Sequence, residues 1–309
     1  MAGEREPYDE ISLLDFQKRF PDEGACWEHL VRIRWPKGRP CPSCGRAMGL
    51  IETRSLFQCN ACRKQVSATA GTIFHKSRIP LRKWFWAIYL MATSKKGVSM
   101  LYLQKHLGIK SYRAVWMMGH KIRHAMSTRD ALYPLRDTVE VDQFTVGGQQ
   151  TLDDRRQTRR IRKSPFLVAI QEGKKGDPRF VKFEELESAF KEHVLPALEK
   201  TIAKGSRLKS DEGGVFLIAK KLGYKVRPIA MSKHPEEAKN HLHWVYVLTS
   251  NVKRGLVSTY HGCFPKYRKA YLAEFAYRFN RRYWPHQAFD RLLFACLQGG
   301  KITLNELRA

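Results

Sequence analysis

No apolar run in this 309-residue sequence is long enough to cross a bilayer; the longest, Trp84 to Ala92 (WFWAIYLMA), falls far short of the ~18 residues a span needs. The first residues are acidic and contain no apolar signal region, so the expectation is a soluble, cytoplasmic protein without a membrane partner. There is no internal repeat and no low-complexity tract, which argues against a solenoid or a fibrous chain. A glycine-rich phosphate loop is also missing, since Gly213-Gly214 is too short to be one. Acidic residues are scarce: 29 Asp plus Glu stand against 56 Lys plus Arg, for a formal charge of +27. A charge that large and that evenly spread implies a polyanionic partner, nucleic acid first and a membrane surface second. Hydrophobic residues reach 43%, too many for a disordered chain. In an intracellular protein the seven cysteines are metal ligands or free thiols rather than disulfides.

Four of those cysteines form two CxxC knuckles, Cys41-Pro-Ser-Cys44 and Cys59-Asn-Ala-Cys62, with fourteen residues between them. That spacing suits a structural, tetrahedral four-thiolate zinc site with each knuckle on a hairpin turn. Cys26, Cys263 and Cys296 have no partner at ligand spacing and read as ordinary thiols.

Helical patterns flank this zinc ribbon. Residues 1–37 read as a helical lead-in. From Ile79 to Met126 the period is again helical: a largely apolar helix opened by Pro80, a second capped by Ser99 and ended by Gly108, and a third capped by Ser111. Val115, Met118, Ile122 and Met126 form the third helix's apolar stripe, with Lys110, Arg113, Lys121 and Arg123 off it. Helix, glycine turn and basic helix together resemble a helix-turn-helix that reads DNA through Arg113 or Lys121; the alternative is a three-helix bundle with a solvated basic face.

The run Val139-Glu-Val-Asp142-Gln-Phe-Thr-Val-Gly-Gly148 reads as a strand stopped by a glycine pair. Period-two alternation puts Glu140 and Asp142 on one face. An inward carboxylate on a core strand is costly unless a cation or an ionic partner meets it. Strands over 166–170 and 180–183, a helix near 190–202, a short strand Arg207–Asp211, a helix over 215–222 and a strand over 226–230 follow. The last part is helical, with a stripe of Leu242, Val245, Leu248, Val252 and Leu256 and Asn251 at its edge. This is the element order of a ribonuclease H-like fold, an α/β domain with a mixed sheet. Asp142, Asp211 and Asn251 fall where that fold places its metal ligands. Between the first two strands, Arg155, Arg156, Arg159 and Arg160 are phosphate-contact candidates, and Arg254, Arg281 and Arg282 join them from the late helices. The expected organisation is a lead-in over 1–37, a ribbon over 38–70, a helix-turn-helix-like region over 71–130, the ribonuclease H-like domain over 135–285, and a C-terminal tail over 286–309.

The segments RWPKGRPCPSCG, GTIFHKS, VEVDQFTVGG, LKSDEG, SNVKRGLVSTYHG and YLAEFAYRFNRR resemble, in order, those of the ISXO-like bacterial insertion-sequence transposases, relatives of the Merlin elements. The resemblance implies a DDE-type enzyme whose third acidic residue is often Asn. Asp142, Asp211 and Asn251 would then hold two Mg²⁺ ions while element-end inverted repeats and target double-stranded DNA are nicked and joined by a homo-oligomer near the nucleoid. Glu274 is an alternative third ligand. Two positions depart from the family pattern: Gln143 follows the first Asp where an acidic residue is common, and Tyr246 stands where a His often precedes the Asn. The alternative function is a catalytically inactive, transposase-derived DNA-binding regulator.

Overall fold

A computed structural model describes residues 11–147, 163–212, 214–230 and 235–308. The chain divides into two compact units. One takes in the chain up to Ser94, Met100–Arg129 and the stretch from Tyr283; the other holds Lys95–Ser99 and Asp130–Arg282.

In the first unit, α1 (Leu13–Arg19) and α2 (Glu23–Arg34) start where Ser12 and Asp22 accept the backbone N–H of the residue three positions on, Asp15 and Ala25. The cysteine knuckles sit on an antiparallel sheet of β1 (Met48–Ile51), β2 (Leu56–Cys59) and β3 (Gln65–Ser67). So small a sheet has little core of its own. It leans on α2 instead: Trp27 stacks on Phe57 at 5.7 Å, and the Arg39 guanidinium lies 3.6 Å from the Trp35 ring and 4.0 Å from Phe57. Next come α3 (Leu81–Thr93), α4 (Met100–His106) and α5 (Tyr112–Ala131). The α5 stripe of Val115, Met118, Ile122 and Met126 is fully buried, as its spacing requires. At Gly119 a Cβ would collide with the Met100 sulfur, so any side chain there would force Met100 to shift.

The second unit is a five-stranded sheet with helices on both faces. In chain order it contains β4 (Thr138–Val146), β5 (Ser164–Glu172), β6 (Pro178–Glu185), α6 (Lys191–Thr201), β7 (Arg207–Asp211), α7 (Gly214–Ile218), β8 (Lys225–Ile229), α8 (Pro235–His241), α9 (His243–Ser258) and α10 (Arg268–Arg281). The spatial order is β6-β5-β4-β7-β8, antiparallel through the first three strands and parallel from β4 onward. Alternation sorts the side chains. Val139, Val141 and Leu208 meet Val194, Leu198 and Phe216 on one face, whereas Phe144, Val146, Val168 and Ile170 meet Val245, Leu248, Val252 and Leu272 on the other. Each such buried aliphatic side chain contributes roughly 1.5–3 kcal/mol.

After α10 the chain returns to the first unit with α11 (Ala288–Gln298) and α12 (Leu304–Arg308). Residues 286–309 are therefore not a tail. Phe289 is 1% exposed, with ring centroids 4.8 Å from Phe16 and 5.3 Å from Phe85. The run AFDRLLFACLQ carries a stripe of Phe289, Leu292, Leu293 and Cys296, and burying it drives the docking. Among the described residues, no helix is long and apolar enough to cross a membrane.

Candidate active site

Strand pairing builds the centre of the second unit. The parallel register runs Thr138↔Arg207, Val139↔Leu208, Glu140↔Lys209. The paired stretch ends there, and Asp142 and Asp211 lie two residues beyond it on these adjacent strands. Leu208 shares the Val139 face, so Asp211 shares the Asp142 face. Burial pushes the Asp142 carboxyl up to about 6; the Gln143 N–H (2.7 Å) opposes that shift and the Asp211 charge adds to it. Two half-buried carboxylates whose charges repel make a candidate cation site. The neighbourhood also shows in Tyr246, whose hydroxyl is raised by burial and then by Asp142, Asp211 and Glu140.

A cleft of about 410 Å³ opens over Asp142, bordered by Gln143, Thr145, Tyr246, Thr249 and Lys253. The three α9 residues among these lie within about 60° of one another on the helix. Asn251, five positions after Tyr246, points about 140° away and is exposed. The structure thus does not bring Asn251 to the cleft and puts Lys253 there instead, its Nζ 6.0 Å from the centre of the Phe144 ring. Lys253 reaches the cleft because the α9 stripe packed on the sheet turns residues 246, 249 and 253 toward β4. Glu274 is not among the residues bordering the cleft. It is 0% exposed and accepts hydrogen bonds from the Tyr260 hydroxyl (2.8 Å) and Arg278 Nη1 (2.6 Å).

Glu140, on the Asp142 face, is buried and accepts the Val245 N–H (2.9 Å) in the first turn of α9. Desolvation raises its pKa, the Val245 bond opposes that, and the nearby Glu172 adds to the rise. Lys209 in turn donates to Glu172 (2.5 Å). A carboxylate at a helix N-terminus meets unpaired N–H groups and the positive end of the helix dipole. Glu140 therefore ties α9 to β4 and fixes which side of the helix faces Asp142. Tyr246, Thr249 and Lys253 border the cleft, which the apolar period missed, although a wheel drawn from the Leu242–Leu256 stripe would have placed them at its border.

The ribbon's thiols converge as their spacing requires. The sulfurs of Cys41, Cys44, Cys59 and Cys62 all lie within 4.8 Å of one another. Three of the pairs are at 3.4, 3.5 and 3.7 Å. A tetrahedral zinc with bonds of about 2.3 Å would hold its sulfurs roughly 3.8 Å apart, so the donor set fits a structural zinc. Backbone N–H groups within each knuckle, from Ser43 to Cys41 and from Cys62 to Cys59, pull those two thiols toward the thiolate.

The expected DNA-binding residues divide. Arg113 is exposed on α5, and Arg254 on α9. Lys121 is buried and donates to the Ile73 carbonyl at 3.1 Å, so it is a packing residue and not a base reader. Arg281 binds Asp130 at 2.6 Å and covers the Tyr277 ring, while Arg282 donates to the carbonyls of Pro178, Arg179 and Phe279. Both guanidiniums are spent on holding β6 and the α10 end, which corrects their assignment to DNA. Arg155, Arg156, Arg159 and Arg160 lie outside the described residues.

The sheet order and the helices on both faces are those of a ribonuclease H-like domain, and a zinc ribbon precedes it in the chain. Comparison with known proteins identifies both parts: residues 134–280 match the ISXO2-like transposase domain and residues 21–65 the transposase zinc-ribbon domain. A curated relative, an uncharacterized protein in transposable element ISH50 of Halobacterium salinarum, is 33% identical over 135 residues. That alignment covers 42% of this chain, which spans 44% of the relative's length. No solved structure matches.

Proposed function

We propose that this protein is a DNA transposase that nicks the ends of an insertion sequence and joins them to target DNA. The juxtaposition of Asp142 and Asp211 on neighbouring parallel strands, inside a segment matching a transposase domain, carries this reading. Asp142 and Asp211 would hold divalent metal, and the rise of the Asp142 pKa under burial and the Asp211 charge is the repulsion a dication relieves. Mg²⁺, when bound there, supplies activation of an attacking water or 3′-hydroxyl and stabilisation of the leaving oxygen. The chain's own part is positioning. Lys253 at the cleft rim can meet a phosphate oxygen, and Glu140 holds α9 so that Tyr246 and Lys253 face the reacting group. Zinc would hold the ribbon together without entering the chemistry.

One observation favours a second reading, a DNA-binding regulator derived from such an enzyme: among the described residues bordering the cleft, Asp142 is the sole carboxylate, and no third acidic ligand arrives from α9. The deciding experiment incubates purified protein with Mg²⁺ and DNA carrying the candidate element ends. Wild type should nick and Asp142→Ala should not, while still binding the DNA. Cleavage by Asp142→Ala at the wild-type rate would end the enzyme reading, and binding without nicking by wild type would select the regulator.

A further inference from the structure

The sheet face that carries Asp211 at the end of β7 is strongly basic where β7 and β8 begin. Arg207 and Lys209 alternate with Leu208, and Lys225 and Arg227 flank Val226, so all four cations lie on the α9 side of the sheet. The parallel register places them in direct opposition, Arg207↔Lys225 and Lys209↔Arg227. Like charges facing each other across adjacent strands are destabilising. With Lys220 they border a groove of about 680 Å³ along β8, the edge strand. The one carboxylate bordering it is Glu172, which Lys209 already engages at 2.5 Å. Arg207 donates its Nε to Thr138 Oγ1 at 3.2 Å, which orients the guanidinium without neutralising it. Among the described residues that border the groove, four cations are left with no carboxylate to answer them.

We propose that this groove binds the phosphodiester backbone of a DNA duplex whose path leads on to Asp142 and Asp211. Arg207 to Asp211 is four residues along one strand, about 13 Å. A continuous polyanion reaches from the basic end to the acidic end, whereas a mononucleotide fills only the first. The paired aspartates repel a backbone locally, so a neighbouring cationic groove supplies the hold that the reacting centre cannot. The identity of the polyanion rests on the transposase reading; the groove itself rests on the strand register.

The test uses the full-length protein and a fluorescein-labelled DNA duplex, with affinity followed by anisotropy over a series of KCl concentrations. The triple variant Arg207→Gln, Lys225→Gln, Arg227→Gln changes only exposed side chains. Its slope of log affinity against log salt should be shallower than wild type by about 2.7, or about 0.9 for each phosphate that is no longer neutralised. A control triple at exposed lysines elsewhere in the same unit, Lys174→Gln, Lys175→Gln, Lys191→Gln, should keep the wild-type slope. An unchanged slope in the groove variant, or an equal loss in the control, overturns the proposal. Displacement of the duplex by ATP from wild type, with the groove variant still binding DNA normally, would make the groove a nucleotide site and also overturn it. The two readings fail separately: a wild type that does not nick but shows the groove-dependent slope refutes catalysis alone, whereas a wild type that nicks while the groove variant binds DNA unaltered refutes the groove alone.

Discussion

Replacing Asp142 with Asn should make the metal-free protein more stable, although it removes a residue assigned to catalysis. Asp142 holds its proton up to about pH 6 in the folded chain, against 3.8 for an ordinary aspartate. Between those values the folded state keeps a proton that the unfolded state has released. Stability therefore falls as pH rises through that window, and stays lost above it. A shift of about two units at ~1.4 kcal/mol each sets a ceiling near 3 kcal/mol. Asp142 is half-buried, and solvent screening brings the expected gain down to roughly 1–2 kcal/mol. Asn keeps the acceptor that the Gln143 N–H uses, so the substitution removes the charge without orphaning the backbone donor. Calorimetric melting of the full chain at neutral pH should show the second unit of the Asn variant melting higher, by about 2–4 °C per kcal/mol. Below pH 3.8 the two proteins should converge. Adding Mg²⁺ should raise the wild-type transition and leave that of the variant in place, because only the wild type has charge to be relieved there. A variant that melts below wild type at neutral pH, or a gap of the same size in acid, would refute the reasoning.

Two further outcomes test the rest of the structure. The double substitution Cys41→Ser, Cys44→Ser should reduce bound zinc from one equivalent to none and expose residues 38–70 to proteolysis; elemental analysis that still finds one zinc per chain would remove these thiols from the site. Phe289→Ala should destabilise the first unit by about 3–5 kcal/mol, since it empties an aromatic cluster shared with Phe16, Phe20 and Phe85. Urea unfolding of that unit at the wild-type midpoint would restore residues 286–309 to the status of a tail.

Local rules were enough for much of this protein. Two CxxC pairs fourteen residues apart name a zinc ribbon because thiolate geometry leaves few other uses for that spacing, and the four sulfurs do converge. Alternation along Val139–Val146 placed Glu140 and Asp142 on one face before any partner strand was known, and a five-residue strand ending in Asp211 was legible from its own residues. Ser111 opens α5, its Oγ accepting the Ala114 N–H at 3.3 Å, as a cap signal should.

Tertiary structure alone decided which charges face the site and which are spent inside. A lysine off an apolar stripe reads as solvated, yet Lys121 is buried because the Ile73 carbonyl was within its reach. Arg281 and Arg282 have the donors to grip phosphate, but carbonyls and Asp130 took them first. The stripe of α9 is broad enough to pack in more than one rotation, and the buried bond from the Val245 N–H to Glu140 selects one. That choice brings Lys253 to the cleft over Asp142 and turns Asn251 outward. Spacing along a chain sets what a side chain can reach on its own element. Which of its possible partners it meets depends on the element packed opposite, and only the folded chain supplies that.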